Sequence, residues 1–242
     1  MTVDAHMHVG EFPLFDVRMD GPGLAATLAR FDIDAGLVFC PENHLTRSAV
    51  EAVDAAYGLY WANPKMPGHL EEAEEYLGHP KFRGVKLHPL IDGYHPNDPI
   101  VHPLMELLVA KGLPALVHCG HPIFTLPWSI EELARSFPAA TVVLGHMGHG
   151  NIVYINGAID VAARNPNVYL ETSGMPMHSK IKEGVERAGA HKVLYGSDAP
   201  FHDPSVEILK VRVSGLSDDL VERVLHTNSV EVFFGGVLPS SP

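Results

Sequence analysis

The chain has 242 residues, 46% hydrophobic and 19% charged, as suits one soluble globular domain (residues 1–242) with a sizeable core. Its net charge of −12, from 17 basic and 29 acidic side chains, repels phosphate backbones and anionic lipid surfaces, so neither nucleic acid nor membrane is expected as a partner. Two cysteines, Cys40 and Cys119, cannot build a disulfide framework and suit a reducing, cytoplasmic setting; there is no signal-peptide pattern and no apolar run of the roughly 18 residues a membrane span needs.

Short aliphatic runs alternate with helical patterns along the whole length. The expected strands lie near 2–9, 35–40, 57–62, 84–88, 114–119, 141–147, 168–173 and 193–198. Helices are expected near 22–31, 49–56, 68–78, 101–112, 129–136, 152–165, 179–189, 204–213 and 217–234. The strand runs are apolar throughout rather than alternating, as expected when both faces of a parallel sheet are covered. Eight such units point to a single (β/α)8 barrel of the TIM type, regular or distorted. The rival architecture, an open doubly wound sheet, lacks support because no Gly-rich dinucleotide turn follows the first strand. Gly112-Leu113-Pro114 and Asn165-Pro166-Asn167 end helices ahead of strands, and Asp203-Pro204 reads as an N-cap with proline in the first turn.

Metal-ligand chemistry gathers at the strand ends. His6 and His8 are two apart, so on a strand both imidazoles leave the same face and one cation can take both. His118, His146 and Asp198 fall at the C-terminal ends of the fifth, sixth and eighth strands, the rim that carries the active site in this architecture. Imidazole and carboxylate are ordinary ligands for a borderline divalent ion such as zinc, and one or two ions are expected. His146 has acid/base or metal contact as alternative roles. A lone histidine at a strand end is usually structural; five candidates in barrel register shift that balance. Lys86 and His88 share parity on the fourth strand and are expected to face the interior, as substrate contacts or, for Lys86, as a carboxylated bridge between two ions; a paired or snorkelling lysine is the plain alternative. Cys119, next to His118, should point outward among the helices. His121, His149, His178, His202, Arg47 and Trp128 are lesser candidates for substrate contact, from loops on the same face.

The segments Asp4-Ala5-His6-Met7-His8, Phe82-Arg83-Gly84-Val85-Lys86-Leu87-His88-Pro89, Val117-His118-Cys119-Gly120, Leu144-Gly145-His146-Met147-Gly148 and Tyr195-Gly196-Ser197-Asp198-Ala199-Pro200 together resemble the amidohydrolase superfamily. The likeness is nearest to the branch that includes aminocarboxymuconate-semialdehyde decarboxylase, and Asn228–Gly235 resembles the family's terminal helix. The resemblance implies a distorted (β/α)8 barrel, a mononuclear or binuclear centre with His6, His8, His118 and Asp198 as ligands, and His146 at the metal, its water, or in acid/base work. The chain begins almost at strand one, leaving no room for an accessory β-domain, and has no long insertion between the second and third strands.

The expected activity is hydrolysis of a small-molecule amide, lactone or ester by metal-activated water, with Asp198 and His146 catalytic. A non-oxidative decarboxylase or lyase on the same scaffold is the alternative. Lower-ranked readings are a TatD-type deoxyribonuclease, disfavoured by the charge and by the lack of a glutamate ligand on strand four, and a non-catalytic metal- or ligand-binding protein. The expected partner is a small-molecule substrate, with homo-oligomerisation possible.

Overall fold

A computed structural model describes residues 1–239 of the chain; the last three residues of the expected 1–242 domain lie outside the described residues. In chain order the elements open with β1 (Val3–His8), a hairpin of β2 (Gly10–Phe12) and β3 (Val17–Met19), α1 (Gly21–Arg30), β4 (Ala35–Phe39), α2 (Asn43–Ala52), β5 (Ala56–Ala62) and α3 (His69–Leu77). They continue with β6 (Phe82–Leu87), α4 (Pro89–Asp92), α5 (His102–Lys111), β7 (Ala115–His118), α6 (Pro127–Ser136), β8 (Val142–Gly145), α7 (Ile152–Arg164) and β9 (Val168–Glu171). The chain then forms α8 (His178–Ala188), β10 (Val193–Leu194), α9 (Pro204–Arg212), α10 (Asp218–Glu222) and, beyond a π-helical turn over Arg223–Thr227, α11 (Asn228–Phe234).

Eight strands form one parallel sheet in the order β1-β4-β5-β6-β7-β8-β9-β10. Its two ends meet: Ala5 N–H donates to Tyr195 O (3.0 Å), Asp198 N–H to His6 O (2.7 Å) and His8 N–H to Ala199 O (2.7 Å). The sheet is therefore a nearly closed (β/α)8 barrel. Strand residues sort into two apolar clusters by pleat parity. Leu37, Leu59, Leu116, Val143 and Leu194 fill the barrel, with Val230 and Phe233 of α11 packed at its base. Val38, Tyr60, Val85, Val117, Leu144 and Leu170 face the helices, and Cys119 lies among them as expected.

Strand β1 carries one irregularity with consequences for the site. Its register with β4 shifts between Asp4 and Met7. Val3 and Ala5 belong to the inner cluster, yet Met7 belongs to the outer one. The bulge switches parity, so His6 and His8 turn inward where a regular strand beginning at Val3 would have aimed them at the helices.

Several boundaries differ from the sequence expectation. The β2–β3 hairpin was not anticipated, because three-residue strands flanking Pro13 give no apolar run. The second helix starts at Asn43, six residues earlier than expected, because the buried Asn43 side chain accepts from Trp61 N–H (2.8 Å) and donates to Trp61 O (2.9 Å). The eighth strand shrinks to Val193–Leu194; the rest of its expected span leaves the ladder as an irregular segment that reaches Asp198, where φ is +61°.

Candidate metal centre

Every group at the centre comes from the C-terminal end of a strand or the turn beyond it. Of the six non-glycine residues with positive φ among the described residues, four lie here: His146, Met147, His149 and Asp198. Such conformations persist only where surrounding structure enforces them, and they gather at functional sites.

His6 is fully buried, and its Nδ1–H donates to Glu171 Oε2 at 2.7 Å. That bond fixes the tautomer, leaving a lone pair on Nε2. Asp198 Oδ1 lies 3.4 Å from this Nε2 and 3.0 Å from His8 Nε2. Two acceptor atoms, His6 Nε2 and Asp198 Oδ1, thus face one another in a buried place; the Lys86 ammonium, with Nζ 3.2 Å from Nε2, offsets part of this, and a divalent cation between the two would relieve it further. His6, His8 and Asp198 offer one donor atom each with all three within 4.8 Å of one another. A nitrogen, nitrogen, oxygen donor set with a carboxylate behind one imidazole fits a divalent ion and the usual carboxylate–histidine–metal arrangement.

Glu171 was not anticipated from sequence and is the main organiser beneath this set. Fully buried, it also accepts from His146 N–H (3.1 Å) and from the Ser173 backbone N–H and hydroxyl (2.9 Å for the latter). A second donor group combines His6, His146 and Glu171. In that group His6 Nδ1 is already committed to Glu171 Oε2, so the first group has the better ligand geometry.

His146 Nδ1–H donates toward Ser173 O (3.2 Å) and the Ser173 hydroxyl (3.0 Å), which turns its Nε2 to His118 Nδ1 at 3.1 Å. His118 Nε2 meets His121 Nδ1 at 2.9 Å. His118 therefore sits beside His146 rather than within the compact three-donor groups. Lys86, fully buried, places Nζ 3.2 Å from His6 Nε2 and 4.7 Å from the centre of the Phe39 ring. His88 stacks between His118 (3.9 Å) and Trp61 (5.4 Å). His202 Nε2 is 3.7 Å from the other Asp198 oxygen, Oδ2. Arg47 is not part of the site: it bridges Glu51 and Glu75 on the outer surface. Trp128 packs on Tyr154 of α7.

Charge states follow from burial. Desolvation holds His6, His88, His118 and His146 well below the ordinary imidazole range, with neighbouring Lys86 adding to the effect, so they are neutral and able to ligate. Burial alone would raise Asp198, but the His8 hydrogen bond and the surrounding imidazoles outweigh it and keep the carboxylate ionised. Burial brings Lys86 down to about 8 against the opposing pull of Asp198 and Glu171. Burial likewise raises Asp4 to about 7; its Oδ1 accepts from His6 N–H (3.1 Å) and Ser197 N–H (2.9 Å), tying β1 to the segment after β10.

Gly196 permits the closest approach in the centre. A Cβ there would collide with the Glu171 carboxylate and lie 2.8 Å from His6 Cβ. Gly196→Ala is expected to destabilise the fold by about 1–3 kcal/mol, the cost of overpacking a dense core, and to weaken metal retention through displacement of Glu171. Thermal unfolding with metal analysis checks both, and unchanged values would refute the contact.

An eight-stranded parallel barrel with a histidine and carboxylate donor set on its C-terminal rim defines the class of metal-dependent barrel enzymes. The sequence model of the amidohydrolase family matches residues 3–235, and the chain belongs to that family. No curated protein sequence matches it. Among solved structures it is similar to an amidohydrolase from Burkholderia multivorans with bound zinc (14% identity, 99% of this chain and 100% of that one, TM-score 0.78). It is also similar to a dihydroxybenzoic acid decarboxylase from Polaromonas sp. JS666 with bound manganese (14% identity, 98% of each chain, TM-score 0.77). A probable 2-pyrone-4,6-dicarboxylic acid hydrolase from Acinetobacter baumannii aligns as well (16% identity, 96% of this chain and 99% of that one, TM-score 0.74). At these identities the likeness speaks to the fold. Among the described residues no helix is long and apolar enough to cross a membrane.

Proposed function

We propose that the protein hydrolyses an amide, lactone or ester of a small molecule, using a divalent ion, zinc by preference, held by His6, His8 and Asp198. His118 and His146 complete its surroundings. The observation that carries this reading is the apposition of His6 Nε2 and Asp198 Oδ1 at 3.4 Å, with the His6 tautomer set by Glu171. When bound, the ion lowers the pKa of water toward about 7 and polarises a carbonyl oxygen.

The chain's own groups do the remaining work. Asp198 would hold the ion through Oδ1, 3.0 Å from His8 Nε2, and keeps Oδ2 toward His202, where it can take a proton from water. His146, with Nδ1–H committed to Ser173, offers Nε2 as acceptor, for the ion or for a proton moving toward the leaving group. The Lys86 ammonium stands beside His6 Nε2 and can donate to a substrate oxygen that gains charge as the bond breaks.

Lys86 also favours the second reading, non-oxidative decarboxylation: a buried ammonium beside the ion is a counter-charge for a substrate carboxylate. Solved relatives of the fold carry both activities in their names. Neither reading calls for nucleic acid or membrane.

The decisive experiment is metal quantification on purified protein, then a screen of lactones and esters read by proton release and of amides read by amine release, run beside aromatic acids read by carbon dioxide release. Proton or amine release lost on chelation and restored by zinc supports hydrolysis. Carbon dioxide release alone transfers the site to the second reading. Turnover that persists in metal-free protein overturns both.

A further inference from the structure

The strand ends opposite the metal centre enclose a second cavity. About 350 Å³ in volume, it lies between the N-terminal ends of β6, β8, β9 and β10 and the last turn of α11, and its wall includes Arg83, Thr141, Tyr169, His191 and Glu231. Leu113, Val232 and Phe234 supply its apolar side. Gly112 and Gly235, which cap α5 and α11, also line it, and a Cβ on either would meet nothing within 4 Å. Strand β6 thus carries Arg83 at this end and Lys86 toward the metal centre.

The cation of this cavity has no acidic partner. Arg47, Arg164, Arg187 and Arg223 each pair with a carboxylate, and Glu231 of the cavity wall is the acid that Arg223 takes, at 3.4 Å. Among the described residues Arg83 pairs with none. Its guanidinium carbon stands 5.5 Å from the centre of the Tyr57 ring and 5.4 Å from that of Phe234, and these two rings meet edge to face at 4.8 Å. Cation–π attraction to both rings holds the guanidinium in place. Its Nε is covered and has no hydrogen-bond partner. Buried donors are nearly always paired, so a guanidinium left in this state calls for a cause.

We propose that this cavity is a second small-molecule site, which takes a monocarboxylate with an apolar body, benzoate being the simplest aromatic case. A guanidinium held against ring faces is a preset fork for a planar carboxylate. The hydroxyls of Thr141 and Tyr169 and the His191 ring add hydrogen-bonding groups to the same wall. Leu113, Val232 and Phe234 receive the apolar body, and the volume suits a single substituted ring. A second negative charge on the ligand is disfavoured, because one guanidinium answers it while Glu231 stands in the wall and the chain carries −12 overall. Dicarboxylates are therefore the poorer ligands. The site stands apart from the metal centre and does not depend on the chemistry performed there.

The test is calorimetry on the zinc-loaded protein at low salt, with acetohydroxamate present to occupy the metal centre. Benzoate is expected to bind about tenfold more tightly than benzyl alcohol, its uncharged counterpart, and more tightly than the dianion terephthalate. Arg83→Met, which keeps an apolar stem, should weaken benzoate about tenfold. Glu231→Gln, at an exposed position, should tighten it about threefold, and both changes should shrink as salt rises. In crystals grown with 4-bromobenzoate, anomalous scattering from bromine should place the ring beside Arg83. Circular dichroism reports the folding of each variant; if Arg83→Met misfolds, Glu231→Gln and the bromine position decide. Benzoate affinity unchanged in a folded Arg83→Met protein overturns the inference. So does benzyl alcohol binding as tightly as benzoate, bromine found at the metal centre alone, or no benzoate binding at all. None of these readings uses turnover, so this site can fail while hydrolysis stands, and the reverse.

Discussion

Asp198→Asn is expected to abolish measurable turnover and to weaken metal binding by more than about 100-fold, a larger loss than removal of a supporting hydrogen bond causes. Asparagine is the informative replacement here. Asp198 has φ of +61°, a conformation asparagine tolerates better than most residues, and its backbone N–H bond to His6 O survives the change. The fold should therefore persist while the carboxylate loses its charge and its ability to take a proton. The amide would also place a donor or a weaker acceptor 3.0 Å from His8 Nε2. Chelator competition gives the affinity, and circular dichroism confirms that the barrel is intact. A folded variant with wild-type kcat and wild-type metal content would remove Asp198 from the site altogether.

The second large effect belongs to Glu171→Gln. The carboxylate accepts on Oε2 from His6 Nδ1–H, His146 N–H and the Ser173 hydroxyl, and on Oε1 from Ser173 N–H. Glutamine has one oxygen. Whichever way the amide is turned, its NH2 faces at least one buried donor that then goes unpaired, at about 1–3 kcal/mol. With the NH2 on the Oε2 side the His6 tautomer is no longer enforced; with the oxygen kept there, His6 Nδ1–H meets a neutral, weaker acceptor than the carboxylate. Metal affinity is expected to fall about 10–100-fold, with activity partly recovered at excess metal. Recovery distinguishes a positioning role from simple misfolding, in which added metal would restore nothing. Unchanged affinity would mean that Glu171 stabilises the barrel without orienting His6.

Much of this centre was legible before any coordinates, and the missed parts have identifiable causes. His6 and His8 announced themselves because a two-residue spacing has one meaning on a strand. Their inward aim depends on the bulge in β1, which leaves no sequence signal. Asp198 was visible as the end of an aliphatic run, although that run forms only two residues of ladder. Glu171 sits in Val168-Tyr169-Leu170-Glu171, and a lone carboxylate closing an apolar strand was the available clue. Ser173 offered none, since its role depends on the turn that returns it to His146. The hairpin over Gly10–Met19 was illegible because its strands are too short to show a period. Arg47 looked like a substrate clamp only while its partners Glu51 and Glu75 were unknown; helix spacing supplies the first, and tertiary packing the second.

The barrel's closing seam gives the ion a further role. His6 and His8 lie on its first strand, and Asp198 on the segment that seals the last strand against the first. A cation shared by these residues would thus be a clasp joining the first and last strands of the barrel. Heat resistance should follow ion concentration: at a free ion level about a thousand times the dissociation constant, linkage adds about 4 kcal/mol to the folded state. The melting temperature should climb as zinc is titrated in, and Asp198→Asn should flatten that climb.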